Sequence, residues 1–83
     1  MNKIMVEVYL PAALRSYDVR IPADVQFFKV TQLVAQAMSI LLEGLYIANE
    51  DALLLDRESG NILDINMTAW ELGLQNGSRL MLI

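Results

Sequence analysis

The sequence predicts a two-layer α+β domain in which a mixed sheet of four to five strands packs on one main helix. Two segments near the start alternate as strands do, one long uncharged segment has helical apolar spacing, and short strand-like segments follow it. This order places the helix on one side of a single sheet, with the last strand parallel to the first. We therefore expect a single domain over residues 1–83.

The first two predicted strands are joined by a short connection and form a hairpin. Residues Lys3–Leu10 alternate between apolar and more polar side chains, as expected for a strand with one face in a core. The predicted buried face consists of Ile4, Val6, Val8 and Leu10. The second strand, Tyr17–Ile21, directs Asp18 and Arg20 to solvent and its other side chains to the core.

The segment Phe27–Leu42 is the predicted helix. Its apolar face has to be buried against the sheet. Its apolar residues recur at spacings of three and four, and this period places them on one helical face. The predicted core stripe consists of Phe27, Val30, Val34, Ala37, Met38 and Leu41. Asp24 is predicted to cap the helix start, because its carboxylate can accept hydrogen bonds from free amide groups. Gly44 is predicted to end the helix.

A second apolar stripe lies beside the core stripe of the predicted helix, at about 100° per residue. It consists of Phe28, Ala35 and Leu42. Two interpretations remain open: either loop residues such as Tyr46 and Ile47 cover this surface, or a partner or second copy docks on it. Phe28 and Leu42 are therefore candidate interaction residues.

Short strands and one helical turn are predicted after the helix. Ala52–Asp56 and Ile62–Asp64 flank a turn that contains a Ser-Gly-Asn sequence. Thr68–Leu72 has the pattern of one helical turn, with Thr68 as its cap and a glycine after it. The last strand is predicted over Arg79–Ile83.

The composition excludes several classes of function. The chain has no cysteine and no histidine, which removes disulfides, thiolate chemistry and the usual transition-metal ligands. The net charge of −4 gives no electrostatic footprint for nucleic acid or anionic lipid. The uncharged run Val30–Leu42 is shorter than the roughly 20 apolar residues that span a bilayer. We expect a cytoplasmic protein without direct membrane insertion and without a signal peptide.

Carboxylates are the remaining candidates for catalysis or metal binding. They occur around predicted turns, at Glu50, Asp51, Asp56, Glu58 and Asp64. Carboxylates in such positions are usually solvated, and their spacing does not match a calcium-binding loop. We expect no enzymatic activity, no metal and no cofactor.

Protein binding has better candidates among the apolar residues. Trp70 lies on the predicted helical turn, where a half-exposed tryptophan is a frequent interface anchor; alternatively, it folds back over the core. Met81 and Ile83 are expected to point away from the helix on the open face of the sheet, and Leu54 is expected to join them. Terminal-strand residues are also often exposed without a function, so this alternative stays open.

The closing segment and the element order resemble ubiquitin. Residues Thr68–Ile83, TAWELGLQNGSRLMLI, resemble ubiquitin's final helical turn and last strand without a gap. The opening hairpin, the IPAD turn and the LLLDRESGNILD hairpin follow the same plan. The resemblance implies the ubiquitin-like β-grasp fold. The given sequence ends at Ile83 without the Gly-Gly by which ubiquitin is activated, so we expect no covalent conjugation.

The chain also resembles the YukD/EsaB family, bacterial ubiquitin-like proteins of type VII (ESX/WXG100) secretion systems. The closing match is Leu72-Gly73-Leu74, Asn76-Gly77 and Arg79-Leu80, and the helix match is Phe27, Val30 and Leu33-Val34-Ala35-Gln36-Ala37. This resemblance implies a cytosolic accessory that binds protein partners, including membrane or ATPase components of a secretion machine. The alternatives are a modifier or sulfur carrier whose Gly-Gly is lacking here and a β-grasp scaffolding module. A homo-oligomer is possible in each case.

Overall fold

The computed structural model describes residues 2–44, 46, 48 and 50–83, and its elements follow the predicted order. They are β1 (Lys3–Leu10), β2 (Arg15–Pro22), α1 (Phe27–Leu41), β3 (Leu54–Asp56) and β4 (Arg79–Leu82). The four strands form one sheet in the order β2-β1-β4-β3. β1 runs antiparallel to β2 and parallel to β4, while β3 is antiparallel to β4. The predicted parallel pairing of the first and last strands is confirmed.

The core lies between this sheet and α1. All four predicted β1 residues, Ile4, Val6, Val8 and Leu10, are buried. The other large core side chains include Phe27, Val30, Val34 and Met38 from α1 and Leu80 and Leu82 from β4. Burial of each such side chain favours folding by roughly 1.5–3 kcal/mol, so these alternating and helical patterns are the main determinants of the fold.

The start of α1 differs from the prediction. Gln26 occupies the N-cap position without a side-chain cap, and Asp24 is exposed outside the helix, so the predicted Asp24 cap is wrong. The Phe27 N–H instead donates to the backbone oxygen of Met67 at 2.8 Å, and the next N–H donates to another carbonyl of the same loop at 3.0 Å. Carbonyl groups distant in sequence thus accept the hydrogen bonds of the first helical amide groups, which a capping side chain usually accepts.

The end of the helix corrects the predicted core stripe. Leu41 is 60% exposed, whereas Leu42 and Ala35 of the second stripe are only 4% and 2% exposed. The prediction that Leu41 is buried is therefore wrong, and of the two interpretations left open for Leu42 the docking surface is wrong. The apolar arc of α1 is wider than the surface that the sheet covers, and helical spacing does not reveal which edge of the arc faces the sheet.

The strands after α1 are shorter than predicted. Residues Ile62–Asp64 form no strand, and their pairing with β3 is an isolated bridge between Leu55 and Ile62. Leu53 and Ile83 exchange two backbone hydrogen bonds of 3.0 Å, which extend the β3–β4 ladder by one pair.

The predicted covering loop after α1 lies partly outside the described residues, and this includes Ile47. Tyr46 and Ala48 are half-buried and pack against the core.

Candidate protein-interaction surface

The open sheet face, defined as the side of the sheet opposite α1, carries a row of apolar side chains across three strands. Met81 at its centre is in register with Tyr9 of β1 and Leu55 of β3. Leu55 is 8% exposed and Met81 is half-buried, so their neighbours already cover much of the row. Ile83, two residues further along the chain, is 52% exposed. We call these four residues the apolar row.

A single arginine covers one end of the apolar row. The Arg57 guanidinium carbon lies 4.2 Å from the centre of the Tyr9 ring. Its Nη1 also donates to Oε1 of Glu7 at 3.0 Å and to Oγ of Ser16 at 3.4 Å. This arrangement gives the open sheet face an apolar centre with a polar rim, the usual composition of a protein–protein interface.

The strand register shows which predicted residues reach this face. Met81 and Ile83 lie on it, as expected, but Leu54 pairs with Leu82 and is 2% exposed in the core. The prediction that Leu54 joins Met81 and Ile83 is therefore wrong, and Leu55 takes that place. Three consecutive leucines carry no alternation, so the sequence does not show which of them faces inward.

Tyr9 and Arg57 were not among the predicted interaction residues, although the structure places both on the open sheet face. The alternation of β1 already directs Tyr9 away from the core, and this signal was sufficient to place it on the open sheet face. No local pattern places Arg57 over Tyr9, because their contact depends on the pairing of β1, β4 and β3.

Trp70 lies on a compact turn that a reciprocal cap stabilises. The Thr68 N–H donates to Oε1 of Glu71 at 2.9 Å, and the Glu71 N–H donates to Oγ1 of Thr68 at 3.2 Å. This capping box fits the Thr68 cap predicted from the sequence. The side chain of Trp70 is 52% exposed, while its backbone N–H donates to the backbone oxygen of Ala23 at 3.3 Å. The indole is therefore presented to solvent instead of folding back over the core.

The two helix candidates have different positions. Phe28 is 37% exposed and lines a groove beside α1 together with Leu53 and Ile65. The Nζ of Lys29 lies 5.9 Å from the centre of the Phe28 ring. Leu42 belongs to the core and offers no surface for docking. Phe28 thus lies on α1, in a groove that adjoins the apolar row through the Leu53–Ile83 pair.

Among the residues that the structure describes, two titratable groups have shifted pKa values. A hydrogen bond from the Ser59 hydroxyl, 2.7 Å long, is the main cause that lowers the pKa of Asp56, and backbone amide groups lower it further. Burial raises the pKa of Tyr46, whose hydroxyl has no hydrogen-bond partner within the described ranges.

The described residues offer neither a cluster of metal ligands nor a membrane span. Among positions 2–44, 46, 48 and 50–83, no three potential metal-ligating side chains cluster together. In this part of the chain, no helix is long and apolar enough to cross a bilayer.

Solved structures with the same architecture include ubiquitin-like domains from type VII secretion systems. The ubiquitin-like domain of the Mycobacterium tuberculosis secretion protein ECCD1 matches with a TM-score of 0.79 and 17% identity, over 100% of this chain and 99% of that one. The EccD5 ubiquitin-like domain from Mycobacterium xenopi matches with a TM-score of 0.84 and 18% identity, over 100% of this chain and 94% of that chain.

A longer protein also contains this architecture. A chain of the MycP5-free ESX-5 inner membrane complex matches with a TM-score of 0.84 and 17% identity, and the match covers 100% of this chain but 21% of that chain. Ubiquitin-like domains outside secretion systems match over nearly the whole chain as well.

Sequence comparison alone finds no relative. No protein-family model matches the chain, and no curated protein matches it. Identities below one fifth to the solved structures show a shared fold and leave the role open. The four-stranded mixed sheet on one helix and these structural matches together show that the chain has the ubiquitin-like β-grasp fold.

Proposed function

We propose that this protein is a non-conjugating, non-enzymatic interaction module that serves as a cytoplasmic accessory component of a bacterial type VII secretion system. We further propose that it belongs with the YukD/EsaB proteins. The observation that carries the proposal is the apolar row with its arginine-covered rim on the open sheet face. The structural likeness to EccD ubiquitin-like domains supports the choice of secretion system.

The apolar row has the chemistry of a binding surface. Tyrosine, methionine and arginine are enriched at interfaces, because they provide large contact areas that combine apolar and polar atoms. Tyr9, Met81 and Arg57 supply these three residue types at adjacent positions. Ile83 extends the surface at the end of the row, where half of its side chain is still exposed.

Trp70 provides a second candidate anchor. Tryptophan is prominent among residues that carry most of the binding energy of an interface. The reciprocal cap around Thr68 fixes the turn that presents the indole, so little conformational entropy is lost when a partner covers it. We expect Trp70 to contribute to binding together with the apolar row or at a separate contact.

The proposed partners are the cytosolic parts of the ATPase and membrane components of the secretion machine. The match to a domain within a chain of an inner membrane complex supports this choice. Such a partner needs an apolar patch for the row and acidic or carbonyl groups for Arg57.

Calorimetric titration against these purified cytosolic parts, taken from the same cell, tests the proposal. Ile83→Ser and Trp70→Ala should each weaken binding by about tenfold or more, as removal of anchor side chains does. Ile40→Ser is the matched control, because Ile40 is 77% exposed on α1, away from the open sheet face. Absence of binding to every such partner, or equal effects of all three variants, would overturn the proposal.

A further inference from the structure

The sheet has one covered edge and one open edge. Beyond β3, the Asp56 N–H donates to the backbone oxygen of Asn61 at 2.8 Å, and the Leu63 N–H donates to that of Leu54 at 3.1 Å. Across the described ranges, no backbone hydrogen bond reaches the outer edge of β2. An eight-residue open edge is a template for another strand.

The hydrogen-bond pattern identifies the free groups on this edge. The Glu7 N–H donates to the backbone oxygen of Ser78, so the odd-numbered residues of β1 direct their backbone groups towards β4 and the even-numbered ones towards β2. The β2 partners of those even-numbered residues are odd-numbered. The backbone groups that point outward from β2 therefore belong to Ser16, Asp18 and Arg20.

We propose that β2 pairs antiparallel with β2 of a second copy, with the two Val19 residues opposite each other. The sequence of this strand is complementary to itself in that register. Asp18 lies opposite Arg20 of the second copy, and Arg20 lies opposite the other Asp18, so the two-fold axis generates two ion pairs. A register centred on Asp18 would instead place two carboxylates opposite each other.

The proposed pairing also gives Asp18 and Arg20 salt-bridge partners, which neither has among the described residues of a single copy of the protein. Asp18 is in register with Glu7 on the open sheet face, which puts two carboxylates side by side. Glu7 is paired with Arg57, but neither Asp18 nor Arg20 forms a salt bridge with another residue in the described part of the chain. A cross-strand arginine beside Asp18 offsets this repulsion.

An apolar surface next to the open edge supports the same occupant. Between α1 and β2 lies a small apolar cavity of about 110 Å³, lined in part by Val19, Ile21, Leu33 and Ala37. Leu33 is 55% exposed on the side of α1 that faces this edge. A two-fold axis perpendicular to the sheet brings both α1 helices to the same side, with the Leu33 side chains directed towards one another.

The dimer goes beyond the proposed function because it uses the backbone edge of β2 and leaves the apolar row free. Both open sheet faces remain uncovered on one side of a continuous eight-stranded sheet, so two copies of the apolar row are presented together. A partner with two sites would then bind more tightly than its single-site affinity implies.

Charge exchange across the strand pair provides the test. Sedimentation equilibrium of the native chain up to about 1 mM should show a monomer–dimer equilibrium. Asp18→Arg and Arg20→Asp should each weaken association at least about tenfold, because each places like charges opposite one another twice. The double variant, which carries both Asp18→Arg and Arg20→Asp, should restore association because opposite charges again face each other. Asp24→Arg makes the same charge change at an exposed residue outside β2 and should have no effect.

Amide hydrogen exchange locates the contact independently. Protection of the Asp18 and Arg20 amides should increase with protein concentration, while Val19, already paired with β1, should not change. If a charge-reversal variant fails to fold, Asp18→Asn and Arg20→Gln replace it and should weaken association less strongly.

A native chain that remains monomeric would overturn the proposal, as would a double variant that fails to restore association or unchanged protection of both amides. Binding of a different protein's strand to β2 without self-association would also contradict it. Sedimentation and hydrogen exchange are measured on this protein alone, whereas the proposed function is measured by titration of the native chain against its partners, so failure here is distinguishable from failure of the proposed function.

Discussion

The Arg57 guanidinium carbon lies 4.2 Å from the centre of the Tyr9 ring while Nη1 of the same side chain donates to Oε1 of Glu7 at 3.0 Å. Arg57 comes from the turn after β3, whereas the other two residues are neighbours on β1. This one side chain therefore links β1 to the turn after β3, although β1 and β3 do not pair, and it covers one end of the apolar row.

Arg57→Ala should lower the free energy of unfolding by only about 0.5–1 kcal/mol, because both ion-pair partners are more than a third exposed and screened by solvent. Arg57→Lys should recover part of this loss, since an ammonium group stacks less well on the ring. Urea unfolding of the three proteins measures the differences. A loss above about 2 kcal/mol for Arg57→Ala would show that the residue has a larger structural role than the exposed geometry implies.

Neighbouring leucines at the end of α1 test which edge of the helix is buried. Leu42→Ala should destabilise the protein by about 2–5 kcal/mol, because it leaves a cavity at a residue that is 4% exposed. Leu41→Ala makes the same chemical change at a residue that is 60% exposed and should alter stability by less than about 0.5 kcal/mol. Equal losses in thermal or urea unfolding would show that the helix is rotated differently.

Val34 tests the centre of the core. It is 2% exposed, so Val34→Asp should place an unpaired carboxylate in apolar surroundings, and the chain should either not fold or fold with a raised carboxyl pKa. Circular dichroism and carboxyl titration by NMR check these outcomes. Gln36→Asp is the control on an exposed position of the same helix. A cooperative melt of Val34→Asp with an ordinary carboxyl pKa would contradict the assigned core.

The turn after β3 should make stability depend on pH in the acid range. The Ser59 hydroxyl lowers the pKa of Asp56 below its ordinary value of 3.8, so the folded state binds this proton less readily than the unfolded state. The resulting stabilisation is present above pH 3.8 and is lost as the pH falls through the lowered value.

Ser59→Ala should move the pKa of Asp56 back towards its ordinary value, which NMR titration of the carboxyl group measures. Ser39→Ala changes a serine on α1 and should leave the Asp56 titration as it is. An Asp56 titration that is identical in the native protein and Ser59→Ala would refute the role of the hydroxyl.

The opening hairpin and the orientation of its side chains were predictable because alternation fixes which face of a strand is buried. The predicted bounds of β1 agree with the structure, and all four of its predicted core residues are buried. The Thr68 cap was also predictable, because a capping box is contained within four consecutive residues. These features depend on neighbours in sequence.

Features that depend on distant contacts were not predictable. Asp24 has the right chemistry for a cap, but the backbone oxygen of Met67 accepts the hydrogen bond from the first helical N–H instead. Leu54 and Leu55 are chemically identical, and pairing with β4 decides which of them faces the core. The apolar row is likewise assembled from three strands, so its Tyr9, Met81 and Ile83 could be placed on a face from the sequence, but Leu55 and the contact with Arg57 could not.

The parallel pairing of β1 with β4 has a consequence for how the chain acquires its structure during synthesis. β1 leaves the ribosome well before β4, yet Leu80 and Leu82 of β4 complete the core that β1 and α1 share. The hairpin and helix must therefore expose apolar surface until residues 79–82 are available. Contacts between residues so far apart in sequence carry a large loop-closure cost, so folding should be a single late event, slower than that of a helical bundle of equal length.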